Sequence, residues 1–305
     1  VKSALRRALS PRQIRFTTGL ILVTYLVTHL SNHALGLISV GAAEAGRWWF
    51  LALWRNPLGT VLLYGSLLTH PILGLVALYR RRTLRMPARE AVQLVFGLSI
   101  PLLLAGHVVG TRVAHSFFGR EDAYTWLAFA LWNVRPEIGF KQFVTVVVVS
   151  AHAGIGLHFL LRMQPWYRPA IPLIYASALL LPVLALGGFA QMGREVAAWS
   201  QPGDVARRQA ALQAAALPPH AAASLWQVER GIYLTFLGAL AGVLLARGTR
   251  TALERRTRIR VAYPHGRVVT VPDGCTILEA SRLAGLPHAS VCGGRGRCST
   301  CRVRI

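Results

Sequence analysis

The chain has 305 residues, 53% of them apolar and only 15% charged, with a mean hydropathy of +0.44. That balance excludes an ordinary soluble domain, in which about a quarter of residues are charged, and reads as a membrane protein. A formal charge of +23 would fit nucleic acid, but the arginines stand in short segments between apolar runs rather than in one patch, as the positive-inside rule predicts; nucleic acid is therefore not expected as a partner. The apolar run from Gly19 is too long for a secretory h-region and lacks a small-residue cleavage site. Val1 in place of methionine reads as the start of a fragment.

In chain order, Lys2, Arg6, Arg7, Arg12 and Arg15 precede a first span over Phe16 to Val40, which puts the N-terminus in the cytoplasm. Asn56-Pro57 opens a second span that runs to Tyr79. The basic loop Arg80, Arg81, Arg82, Arg85 and Arg89 leads to a third span, Ala91 to Val113, and the more acidic loop from Ala114 to Gly139 belongs outside. The fourth span, Phe140 to Arg162, is followed by Ala170 to Ala190, where Pro172, Pro182 and Gly187-Gly188 predict a kink. Gln191 to Ser224 reads as a periplasmic helix and turn. A sixth span, Leu225 to Ala246, ends on Arg247, Arg250, Arg255, Arg256 and Arg258. The expected architecture is an all-α membrane unit over 1–250 with six transmembrane helices and both termini cytoplasmic, in a bacterial inner membrane. A soluble α+β segment over 251–305 follows, in which IRVAYPHGRVVTVPDG alternates like a hairpin turning at Pro264-His265-Gly266, and CTILEASRLAG reads as a short helix.

Ionisable groups inside spans are costly and call for a reason, and the first four spans carry six histidines, with a seventh, His115, just beyond the third. His33 and His107 each lie 18 residues beyond the nearest cytoplasmic arginine, Arg15 and Arg89, at a depth of about 27 Å. His70 and His152 each lie 10 residues before Arg80 and Arg162, at about 15 Å. Glycine follows each member of the first pair by three residues, at Gly36 and Gly110. It follows each member of the second by four, at Gly74 and Gly156. Glycine one turn from an axial histidine leaves a slot for the edge of a flat macrocycle, and imidazole is a usual axial ligand. The pattern predicts a four-helix bundle holding two bis-histidine haems b. His29, one turn before His33, is an alternative axial residue. His115, near the outer face, and His158, near the inner one, suit a haem propionate, a quinone carbonyl or simple solvation, and Arg112 is a propionate partner. A metal-ion transporter would need acidic partners in the spans, which are almost lacking.

The run HAGIGLHFLLR, with His152, Gly156 and His158, resembles the His-x-x-x-Gly-x-Arg-His signature of succinate dehydrogenase and fumarate reductase cytochrome b subunits, with leucine in place of the arginine. The resemblance implies that His152 ligates haem.

All four cysteines fall after residue 274. Cys292, Cys298 and Cys301 form C-x5-C-x2-C among Gly293, Gly294 and Gly296, where glycine lets a loop wrap inorganic sulfide closely. This predicts a [2Fe-2S] cluster; the alternative is a zinc site using Cys275. Ile259 to Ile305 resembles β-grasp ferredoxins whose fourth cysteine lies further on, which implies a truncated domain with its fourth ligand beyond Ile305. GRGRCSTCRVRI is also similar to the ferredoxin segment of bacterial membrane-bound class III adenylate cyclases, in which a six-helix haem-b anchor precedes the cyclase. That resemblance implies a quinone-responsive redox sensor that regulates a downstream cyclase domain of the same chain, with quinone or quinol, the lipid bilayer and a second copy in a homodimer as partners, and no catalytic residue within this chain. The rival expectation is a quinol-linked membrane oxidoreductase with the ferredoxin as electron carrier. A purely structural anchor leaves the matched histidines unexplained.

Overall fold

The computed structural model describes residues 10–81, 84, 86–199, 202–254, 256–291, 293–294 and 299–304, with the side chains of 202 and 265 excepted. Among these residues are six helices long and apolar enough to cross a membrane: α1 (Pro11–Ala34), α3 (Pro57–Arg80), α4 (Ala88–Phe118), α6 (Pro136–Leu161), α7 (Tyr167–Ala198) and α9 (Pro219–Glu254). Lipid leaves no water to satisfy backbone groups, so each span must close its own hydrogen bonds, and the sequence supplies the starts. Ser10 Oγ accepts from Gln13 N at 3.3 Å ahead of Pro11, and Asn56 Oδ1 accepts from Gly59 N at 2.8 Å ahead of Pro57. Proline at the first helical position loses no hydrogen bond that the helix would have made.

Three shorter helices lie between spans at one end of the bundle: α2 (Val40–Trp54), α5 (Tyr124–Phe129) and α8 (Val205–Ala215). This capped end is closed by a core of Val40, Ala43, Tyr124, Trp126, Phe129, Met192, Val196 and Trp199. At the other, basic end lie Arg15, Arg81, Arg162 and Arg247. The α2 helix, assigned to no element by sequence, is too short to span, and its Trp48 and Trp49 stay 64% and 83% exposed, as aromatic residues at a membrane–water interface do. The loop expected from residue 114 is largely helical. The third span carries on to Phe118 through a wider π-helical turn at Val109–Val113, and the fifth runs unbroken through Pro172 and Pro182 to Ala198.

Within the bundle α1 packs along α3 and α7, α4 packs along α6, and α9 lies against α3 and α4. The α1–α7 crossing is close because both sides are small: a Cβ on Gly188 would stand 2.1 Å from the His33 carbonyl oxygen, and one on Gly36 would stand 2.9 Å from the Gly188 oxygen. Gly36 therefore seats a helix rather than opening a slot, whereas Gly74 and Gly110 face open space.

The capped end is tied by charge. Arg47 pairs with Glu44 and lies 3.3 Å from Asp122, and Asp122 also pairs with Arg55; Glu44 accepts from Tyr124 N at 2.8 Å, and Glu195 accepts from Val40 N at 2.8 Å. Removing one partner of a largely buried network strands the others. Asp122→Asn, which leaves Arg47 and Arg55 facing a neutral amide, is expected to destabilise the protein by ~3 kcal/mol, read as a lower thermal unfolding midpoint in detergent. An unchanged midpoint would show that water already screens the three charges.

After α9 the chain forms an antiparallel hairpin, β1 (Arg258–Ala262) with β2 (Val268–Pro272), in which Ile259 faces Val271 and Val261 faces Val269. Gly266, at φ 73°, makes the turn. A short helix, α10 (Ile277–Leu283), starts at a capping box in which Thr276 and Glu279 satisfy each other's backbone N–H. Its buried Ser281 lies 2.9 Å from the Tyr263 hydroxyl, joining helix to hairpin. This small sheet with its helix corresponds to the expected ferredoxin-like portion.

Candidate functional site

The histidines singled out by depth come together in two groups. Toward the basic end, the rings of His70 on α3 and His152 on α6 stand with centroids 6.3 Å apart and planes at 90°. Their Nδ1 atoms face main-chain oxygens: His152 Nδ1 lies 3.0 Å from the Gln93 carbonyl of α4, and His70 Nδ1 lies 3.2 Å from the Arg15 carbonyl of α1. A carbonyl only accepts, so each Nδ1 carries the proton and donates it, which leaves the Nε2 lone pair available. No described residue hydrogen-bonds to either Nε2. An imidazole held in this way by a main-chain oxygen has its ring orientation fixed and its other nitrogen free to meet a metal. A haem bound here would be held by His70 and His152, and it would supply one-electron redox chemistry.

Glycines that sequence reasoning did not single out seat these rings. A Cβ on Gly19 would lie 3.1 Å from His70 Cε1, and one on Gly97 only 2.7 Å from His152 Cε1. Each glycine belongs to the helix whose carbonyl holds the same imidazole, so α1 carries Gly19 and Arg15 for His70, and α4 carries Gly97 and Gln93 for His152. The signal was present as glycine and carbonyl spaced one turn apart on the neighbouring helix, but only packing reveals which helix faces which ring.

Toward the capped end three histidines converge. His33 Nε2 lies 3.2 Å from His29 Nε2, and the His29 ring is 5.9 Å from that of His107 on α4. All three line a cavity enclosing about 720 Å³ of empty space, its open mouth included, within the range of roughly 300–1,000 Å³ common for cofactor sites. His29 is thus in ring contact with both of the others, while His33 also packs edge-on against Tyr124 at 5.3 Å. His29 Nδ1 is buried without a hydrogen-bond partner. Arg47, Arg55 and Arg112 line the same cavity together with Asp122, which pairs with the first two. Burial pushes the Tyr124 phenol up, and the Asn32 amide donates to its oxygen at 2.7 Å. The residues of both groups fit a haem: spare imidazole nitrogens at one, an unpartnered imidazole nitrogen and a roomy cavity reached by Arg112 at the other.

The two remaining histidines stand apart from these groups. His115 Nδ1 lies 2.9 Å from the Arg120 carbonyl. His158 Nδ1 lies 2.8 Å from the Tyr167 hydroxyl, with the Tyr175 hydroxyl at 3.2 Å, so the two tyrosines and His158 form one cluster.

In the C-terminal portion, Cys292 and Cys298 lie outside the described residues. Cys301 is half-buried, and its carbonyl lies 3.4 Å from His288 Nε2, whose Nδ1 is 2.9 Å from Ser281 of α10. Gly293 and Gly294 hold φ of 70° and 79°, and a Cβ on Gly294 would come 2.7 Å from Leu278 Cδ2, so this loop requires glycine where it passes the helix. Such a backbone can fold closely around a cluster. Cys275 precedes the Thr276 cap of α10 and is half-buried.

No curated protein and no solved structure matches the chain. Residues 262–305 match the 2Fe-2S iron-sulfur cluster binding domain family, so the C-terminal portion is a 2Fe-2S ferredoxin domain, with the electron-transfer capacity that this implies, carried on a unit of six apolar membrane helices.

Proposed function

We propose that this chain is a membrane-bound redox-sensing and electron-transfer module with two b-type haem sites, responsive to quinone, that regulates an adenylate cyclase domain of the same parent protein as a homodimer. The carrying observation is the His70–His152 pair, whose rings stand 6.3 Å apart with both Nδ1 protons committed to main-chain oxygens. Bound haem supplies one-electron redox chemistry, and imidazole ligation sets part of its potential. His70 and His152 hold the basic-end site, and His107 with His29 or His33 holds the capped-end site. Arg112 offers its guanidinium to propionates there, and His158 with Tyr167 and Tyr175 offers hydrogen bonds to a quinone carbonyl near the basic end. Cys292, Cys298 and Cys301 hold the [2Fe-2S] cluster, for which the 2Fe-2S domain match is the support. The arginine-rich loops put the basic end, with the ferredoxin domain, in the cytoplasm of a bacterial inner membrane.

Purified protein from haem-replete cells is expected to give a reduced b-type spectrum and about two haems per chain in a pyridine haemochrome assay, since each histidine group serves one iron. A folded, haem-free preparation would overturn the haem assignment. For regulation, membranes bearing the intact gene product are expected to change cyclic AMP output between oxidised and reduced quinone. Quinol-dependent reduction of an acceptor with no cyclic AMP formed would favour an oxidoreductase instead.

A further inference from the structure

At the basic end, the last turns of α9 and Leu84 form a cavity that is lined by no histidine. It is lined by Leu84, Leu244, Arg247, Gly248, Thr251 and Ala252 and encloses about 630 Å³ of empty space, its mouth included. Arg247 is only 8% exposed, on a stretch of helix whose Leu245 is 71% exposed. Arg250, one turn on, donates to the Arg81 carbonyl at 3.2 Å and lies over the Tyr79 ring at 4.7 Å, so loop and helix are clasped at the cavity's edge. Arg247 is within electrostatic reach of both Arg250 and Arg81, and Arg81 of Arg15. The carboxylates beside this group are Glu90, 2.6 Å from Arg81, and Glu254, 3.5 Å from Arg250.

We propose that this cavity is a binding site for one anionic phospholipid, with its phosphodiester at Arg247, which lines it, next to Arg250 and Arg81 at its edge, and an acyl chain along Leu84 and Leu244. Phosphate is the group that a guanidinium recognises best, through charge and paired N–H donors, and Arg250 and Arg81 add positive potential beside Arg247. A free phosphate would not need the apolar half of the cavity. Leu84, Leu244 and Leu245 are exposed beside the arginines, so charge and hydrocarbon surface meet where headgroup and acyl chain meet in a bilayer. Basic pockets between transmembrane helices are the usual form of such lipid sites. Gly248 leaves the wall without a side chain, with nothing within 4 Å of where its Cβ would be. The site lies in the last turns of α9, which ends four residues before β1, at the join between the membrane unit and the ferredoxin domain. A lipid held there would set the orientation of that join.

The test is native mass spectrometry of the purified, haem-loaded protein, with phosphatidylglycerol and phosphatidylcholine offered in competition and inorganic phosphate in a separate arm. One phosphatidylglycerol per chain should be retained in preference to phosphatidylcholine. Retention should fall roughly fivefold for each arginine neutralised, in Arg247→Gln and then in Arg247→Gln with Arg250→Gln, while haem content stays at the wild-type level. Arg247→Lys should keep most of the binding, and Arg207→Gln, on α8 at the other end, all of it. Equal retention of the two lipids by the wild-type protein would overturn the proposal without touching the haem assignment. Displacement of phosphatidylglycerol by millimolar inorganic phosphate would reassign the cavity to a free anion and overturn the lipid.

Discussion

His152→Ala is expected to abolish one haem and leave the other with an unchanged spectrum. The substitution removes one of the two imidazoles at the basic-end site, and His70 remains with a spare Nε2 and no partner across the gap. His70→Ala should give the same loss, and the two together should add little, because both act on one site. His107→Ala should remove the other haem, and His107→Ala with His152→Ala should abolish both. The capped-end partner is then read from two further variants. His29 is the residue in ring contact with His107 at 5.9 Å and carries the unpartnered buried Nδ1, while depth counting favours His33. The variant that reproduces His107→Ala identifies the ligand, and the other should shift the potential or band position without loss of haem. Loss of the same haem in His33→Ala and His152→Ala would break the two-group assignment altogether.

Much of this organisation was legible because membrane insertion imposes a coarse rule: about 20 apolar residues per crossing, with arginine at one side. All six spans follow from it, and the histidine depths follow from helical rise alone. The hairpin and the α10 helix were legible for another reason, since period-two alternation and a Thr276–Glu279 capping box are local signals. What lay beyond reach depends on which helix faces which. Nothing local says that the Gln93 carbonyl holds His152, or that Gly36 is needed by α7 rather than by a ring. The helices α2 and α5 were missed because their stability comes from a charged and aromatic cap built from distant segments, Glu44 with Tyr124 and Glu195 with Val40, rather than from a repeating pattern. Depth counting put His33 with His107, and both line one cavity, but it could not see that His29, a turn nearer the basic end, is the ring in contact with both.

Gly97→Ala should remove the basic-end haem as thoroughly as losing the ligand, although it deletes no imidazole. The added methyl would stand 2.7 Å from His152 Cε1, well inside contact distance, so the ring must move or the α4–α6 packing must open. The ring is tethered by its Nδ1–H to the Gln93 carbonyl, on the same helix and one turn before Gly97. Rotation away from the methyl would therefore give up the hydrogen bond that presents Nε2. Overpacking of this kind costs about 1–3 kcal/mol, which the rest of the bundle can absorb, so the protein should still fold and keep its capped-end haem. Gly19→Ala is the milder counterpart, with its methyl 3.1 Å from His70 Cε1, where a shift of a few tenths of an ångström suffices; it should weaken haem retention or move the potential rather than empty the site. Gly154→Ala, with nothing within 4 Å of the added carbon, is the control and should be silent. Haem content per chain and the reduced absorption bands read all three. If Gly97→Ala keeps two haems at wild-type potentials, the His152 ring is not held between Gln93 and Gly97, and the basic-end site must be built some other way.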